Sequence, residues 1–129
     1  MPMRGVRGAT TAAKNDAASI LEATAALLKE LVAVNGVVRA DLAAAMFTVT
    51  ADLDAAFPAQ AARQLGWESV PLLDACEIPV PGSLPRCIRA LLLWNTECAQ
   101  DEIVHVYQNG AACLRPDLAR PAALKGDRE

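Results

Sequence analysis

Arg89 stands inside an apolar run. The stretch reads "LPRCIRALLLWNT", with Ile88 before the arginine and residues 90–94 apolar after it. A guanidinium keeps its charge at any working pH, and burying it unpaired costs several kcal/mol. Arg89 must therefore meet a carboxylate of the protein or an anionic ligand. Glu77, twelve residues earlier, is one candidate partner. Arg7, in "RGVRGATT", poses the same question, and Arg63 and Arg115 stand near the ends of other expected elements. Four arginines so placed point to a pocket for a small polyanion, because the planar fork holds a carboxylate by two hydrogen bonds. The competing reading is a structural salt bridge. Tyr107 is either a packed ring with its hydroxyl at the surface or a ligand contact. His105 reads as structural, and Phe57 as a residue that fills the core or seals an interface.

Other chemistries find little support. There is one histidine, and none of the cysteines at 76, 87, 98 and 113 forms a C-x-x-C pair. A zinc site is not expected, and no local motif couples a nucleophile to a histidine. The cysteines read as small buried hydrophobes in a reducing compartment.

The elements that must position these residues alternate in type. A first strand is expected over residues 3–9. "NDAASILEATAALLKELVAVNG" reads as a helix capped by Asn15 or Asp16, with Ile20, Thr24, Leu27, Leu28, Leu31 and Val32 on one face and Asn35-Gly36 as the stop. "RADLAAAMFTVTA" opens with a helical turn and passes into a strand over 44–50. "PAQAARQLG" is a second helix, with Pro58 in its first turn and Gly66 at its end. "SVPLLDA" is a short strand and "PVPGSLP" a loop that cannot carry a ladder. Residues 86–96 form the longest strand, "DEIVHVYQN" the last, and Asn109-Gly110 a turn.

This order predicts an α+β fold, a mixed sheet with helices packed mainly on one face. The long strand is apolar on both parities, so its other face needs a cover. With no sequence left to supply one, another subunit is the expected cover.

The chain has 129 residues, 53% of them hydrophobic, which fits one globular domain, set at 1–118 with a mobile polar tail at 119–129. Fifteen acidic against twelve basic residues leave no basic stripe for nucleic acid. The apolar runs fall short of a membrane span, and the first residues lack a signal-peptide core. A cytoplasmic protein is expected.

The words "RGVRGATT", "DLDAAFPAQAAR", "GWESVPLLDACEIPVPGSLPRCIR" and "HVYQNGAACLRPDL" resemble, in order, the AroH class of chorismate mutases, small trimeric α+β enzymes in which the sheets pack together at the centre as a pseudo-barrel. The resemblance implies the rearrangement of chorismate to prephenate on the way to phenylalanine and tyrosine. That pericyclic [3,3] shift needs no nucleophile, proton transfer, metal or cofactor. By motif, Arg89 would set positive charge beside the ether oxygen of the breaking bond, and Glu77 would accept from the ring hydroxyl. Arg7 and Tyr107 would hold the side-chain carboxylate, while Arg63 and Arg115 would flank the ring carboxylate. Phe57, Ala59 and Leu73 would line the pocket, with "FPAQAAR" supplied by a neighbouring subunit. Members often carry lysine where this chain has Gln60, and some have a small thiol or hydroxyl residue where it has Asp74. Asp74 would either repel the substrate or bind its ring hydroxyl, and "QNG" after Tyr107 also departs from the pattern. Rival readings are a trimeric sensor of a small dicarboxylate, a structural subunit whose arginines bridge chains, and an imine or enamine hydrolase on a similar trimer.

Overall fold

A computed structural model describes residues 1–114. Five strands form one sheet in the order β3-β2-β4-β1-β5, with β1 at Met3–Thr11, β2 at Leu42–Val49, β3 at Leu72–Cys76, β4 at Cys87–Asn95 and β5 at Val106–Tyr107. β4 runs antiparallel to both β1 and β2, while β2–β3 and β1–β5 are parallel pairs, so the sheet is mixed. Two helices cover it, α1 at Ala17–Asn35 and α2 at Ala59–Gln64.

α1 starts where Asp16 Oδ1 accepts the Ser19 amide at 2.7 Å, and ends at Gly36, whose φ of 70° is left-handed. Its face of Ile20, Thr24, Leu27, Leu28 and Leu31 is buried, as the spacing predicts. It lies very close to β1. A Cβ on Gly8 would stand 2.9 Å from Leu31 Cδ1 and 3.0 Å from Leu27 Cδ1, so glycine sets the distance between helix and sheet. The main core joins this helix face to Val6 of β1, Phe47 of β2, and Leu92 and Trp94 of β4. α2 is short and is tied at both ends by side chains. Asp74 Oδ1 accepts the Ala59 amide at 3.0 Å, and Arg39 Nη1 donates to the Leu65 carbonyl at 3.0 Å.

Burial along β4 alternates. Ile88, Ala90, Leu92 and Trp94 are buried under the helices, while Arg89, Leu91, Leu93 and Asn95 are half-buried on the opposite face. The helices thus cover one face. On the other, Met46 is 37% exposed and Leu73 59% exposed, so among the described residues no element covers the apolar second parity of the long strand.

Several boundaries differ from the sequence reading. β1 runs on to Thr11 because β4 continues to pair with it as far as Cys87. β2 begins at Leu42, directly after the short turn Arg39–Asp41. The expected last strand shrinks to two residues, since Gln100–Glu102 turns as a 3-10 helix before it and Asn109–Cys113 after it. Cys87 alone is fully buried; Cys98 is half-buried, and Cys76 and Cys113 are exposed because they sit at the ends of β3 and of the last turn. Phe57, 68% exposed, does not fill the core. The tail expected at 119–129 lies outside the described residues.

Candidate active site

The open face of the sheet carries two of the predicted residues, Arg89 and Tyr107, in one row. The register sets Thr48 of β2 opposite Arg89 of β4, Arg89 opposite Ala9 of β1, and Ala9 opposite Tyr107 of β5. Strand spacing puts Arg89 and Tyr107 roughly 10 Å apart along that row. Arg7, two residues from Ala9, projects from the same face and is exposed.

Arg89 has a partner. Its Nε donates to Glu77 Oε2 at 2.9 Å, with 30% of the arginine side chain and 15% of the glutamate side chain exposed. Glu77 follows β3 directly, and its amide is fixed to the Val49 carbonyl at 2.8 Å. The same Oε2 also accepts from the Thr48 hydroxyl at 2.6 Å. Of the two candidate partners for Arg89, the structure supplies the internal carboxylate. The guanidinium is neutralised by an internal acid, yet among the described residues its hydrogen bond uses Nε alone. Glu77 also borders a hollow of about 150 Å³, walled by Thr50, Ile78, Pro79 and Leu84.

Tyr107 is 5% exposed and packs with Ala9, Ala111, Leu84 and Leu114. Its hydroxyl is buried and has no hydrogen-bond partner among the described residues, where a packed ring with a wet hydroxyl was one expectation. Leaving such a group unsatisfied costs about 1–3 kcal/mol. The segment that carries it is held mainly by side chains. Asn35 accepts from the Val104 amide at 2.7 Å and donates to the Val104 carbonyl at 2.9 Å. His105 Nδ1 accepts the Arg7 amide at 3.0 Å, the structural role expected for it. The "QNG" that departs from the family pattern does the same work. Gln108 donates to Glu30 at 2.5 Å, Asn109 to the Thr10 hydroxyl at 3.0 Å, and the Gly110 amide to the Thr11 hydroxyl at 3.1 Å. Sequence reasoning missed Thr48, Asn35 and Gln108, because each acts through a partner brought near only by the fold.

The remaining predicted residues that are described lie at or near the β3 edge, beside α2. Phe57, Gln60 and Asp74 border a hollow of about 550 Å³ beside the start of α1. Ala59 is buried in the main core, Leu73 lies on the edge strand, and Arg63 is exposed on α2. Arg115 lies outside the described residues. Asp74 has a structural task, since it takes the first amide of α2. Burial pushes its carboxyl above the ordinary value of 3.8, against the pull of the Ala59 amide and Arg63. Burial also pushes the Cys87 thiol up to about 11, which keeps it protonated and unreactive. A groove of about 450 Å³ under Leu28, Val32, Val37 and Trp67 holds none of the predicted residues. Among the described residues no cluster of histidine, cysteine or acidic side chains could hold a metal ion.

The predicted residues thus span the whole sheet, from Leu73, Asp74 and Glu77 at β3 through Arg89 on the central β4 to Tyr107 on β5, Leu73 and Tyr107 being four strands apart, roughly 19 Å. The fold is that of a small α+β protein with one mixed sheet and two helices on one face. Residues 3–118 match the family described as chorismate mutase type I, and the chain belongs to that family. It is 54% identical over 117 residues to chorismate mutase AroH of Thermus thermophilus, covering 90% of this chain and 96% of that one. It is 40% identical over 120 residues to chorismate mutase AroH of Bacillus subtilis, covering 92% and 94%. A solved chorismate mutase from Clostridium thermocellum superposes with a TM-score of 0.83 at 50% identity, over 84% of this chain and 97% of that one.

Proposed function

We propose that this protein rearranges chorismate to prephenate, an isomerisation in aromatic amino acid biosynthesis, with Arg89 as the cation that stabilises the transition state. The observation that carries this reading is the single hydrogen bond between Arg89 Nε and Glu77 Oε2, which leaves the terminal nitrogens of the fork to a ligand. In the pericyclic shift one C–O bond breaks as a C–C bond forms, and negative charge builds on the ether oxygen. A fixed cation beside that oxygen binds the transition state more tightly than the ground state, so it raises kcat. Glu77 accepts the ring hydroxyl through Oε1. Arg7 and Tyr107 grip the side-chain carboxylate and hold the substrate compact, which supplies orientation; the orphan Tyr107 hydroxyl supports that role. Arg63 and Arg115 draw in the ring carboxylate, and Phe57, Ala59, Gln60 and Leu73 line the pocket.

The site is completed by a second copy in a homotrimer whose open sheet faces meet at the centre. The exposed Met46 and Leu73 on that face support this assembly, as does the distance of Tyr107 from Leu73 across the sheet. Four free cysteines fit a reducing cytoplasm. Purified protein incubated with chorismate should form prephenate far above the spontaneous rate. Conversion at the spontaneous rate would defeat the reading. Stabilisation by a dicarboxylate analogue without turnover would favour the sensor instead.

A further inference from the structure

We propose that Thr48 is a positioning residue that restrains the Arg89–Glu77 pair to one hydrogen bond and so reserves the rest of the guanidinium for the substrate. The inference rests on the chorismate mutase reading and deepens it. An arginine beside a carboxylate ordinarily closes into a bidentate pair, both oxygens on two nitrogens, because that arrangement is stronger. Here it does not close. Arg89 Nε meets Glu77 Oε2 at 2.9 Å, and the second donor to that same oxygen is the Thr48 hydroxyl at 2.6 Å. Two donors converge on Oε2 from neighbouring strands, since Thr48 and Arg89 are register partners in the β2–β4 ladder. Their directions fix the rotation of the carboxylate and hold Oε1 away from the fork. Without the hydroxyl, the carboxylate is free to turn until Oε1 reaches a terminal nitrogen. The nitrogens assigned to the ether oxygen would then be spent inside the protein. The pair is half-buried, where such a closure is well rewarded.

Thr48→Val removes the donor and keeps the branched shape that suits a strand. Its kcat should fall on the order of 10²-fold, with a smaller change in KM, as expected when a reacting group is misplaced by about an ångström. Thr48→Ser should recover activity to within about twofold of the parent. In a Glu77→Gln background the amide has one acceptor oxygen and cannot form the bidentate pair, so Thr48→Val should there cost no more than about twofold. A merely structural threonine would cost the same in both backgrounds, and that result would overturn the proposal, as would a Thr48→Val enzyme of parental kcat. Side-chain nitrogen NMR gives a readout independent of turnover. The Arg89 terminal N–H protons should become slowly exchanging in Thr48→Val; an unchanged guanidinium signal refutes the restraint. If the parent chain does not convert chorismate, the function fails, and the NMR comparison still judges Thr48.

Discussion

The proposed chemistry rests on Arg89 and its partners, and it can be tested one atom group at a time. Arg89→Gln should lower kcat by about 10²–10³-fold, the usual loss of one transition-state donor. Arg89→Lys should also fare poorly, since an ammonium on a flexible stem does not reproduce a fork held at Nε. Steady-state kinetics decide both, with thermal melting alongside, because removal of the arginine leaves Glu77 half-buried and unpaired. Retention of parental kcat in Arg89→Gln would refute the electrostatic role. At this scale the sequence raised the question about Arg89 and offered Glu77 as one candidate partner, which the structure bears out. It could not tell a salt bridge from a ligand site, because that depends on which guanidinium nitrogen is engaged. For Asp74 neither expected role is required to explain the residue, whose carboxylate takes the Ala59 amide.

Elements hold these groups through a few local ties. Asp16 caps α1, and the Ser19 amide and hydroxyl hold its carboxyl below the ordinary 3.8. A lowered folded value means that the cap stabilises above the unfolded value and is lost as pH falls through the folded one. Asp16→Ala should therefore melt below the parent at neutral pH, with the gap closing once pH drops under 3.8. A gap that persists at acid pH would mean the carboxylate is not the cap. Asn35 ties α1 to the last strand through Val104, so Asn35→Ala should cost about 1–3 kcal/mol and loosen Tyr107. Denaturant melts should register that loss, and KM should rise more than kcat falls; parental values for all three would show the clamp to be idle. The helix cap was legible in "NDAAS", since its signal is local. The clamp was not, because Asn35 and Val104 are 69 residues apart.

The whole molecule poses a different problem, a sheet with helices on one face and exposed aliphatic residues on the other. The proposed trimer would cover that face and bring the α2 edge of one copy to the β5 edge of the next. Leu91→Glu, which puts a charge at the middle of the open face, should give a folded monomer without chorismate mutase activity. Sedimentation velocity and circular dichroism check it, and a Leu91→Glu trimer or an active monomer would contradict the shared site.

By itself the sequence determined the mixed α+β class, the long amphipathic helix and its caps, and the apolar second parity of β4. These are set by neighbours within a few residues, where periodicity and capping act. It also pointed to the arginines, because a charge inside an apolar run needs an explanation at any fold. Only the tertiary structure decided that the last strand is two residues long and stitched by side chains, that "QNG" is part of the stitching, and that Thr48 shares the oxygen Arg89 uses. Those facts depend on strand register, which pairs residues far apart in the chain and leaves no trace in local spacing.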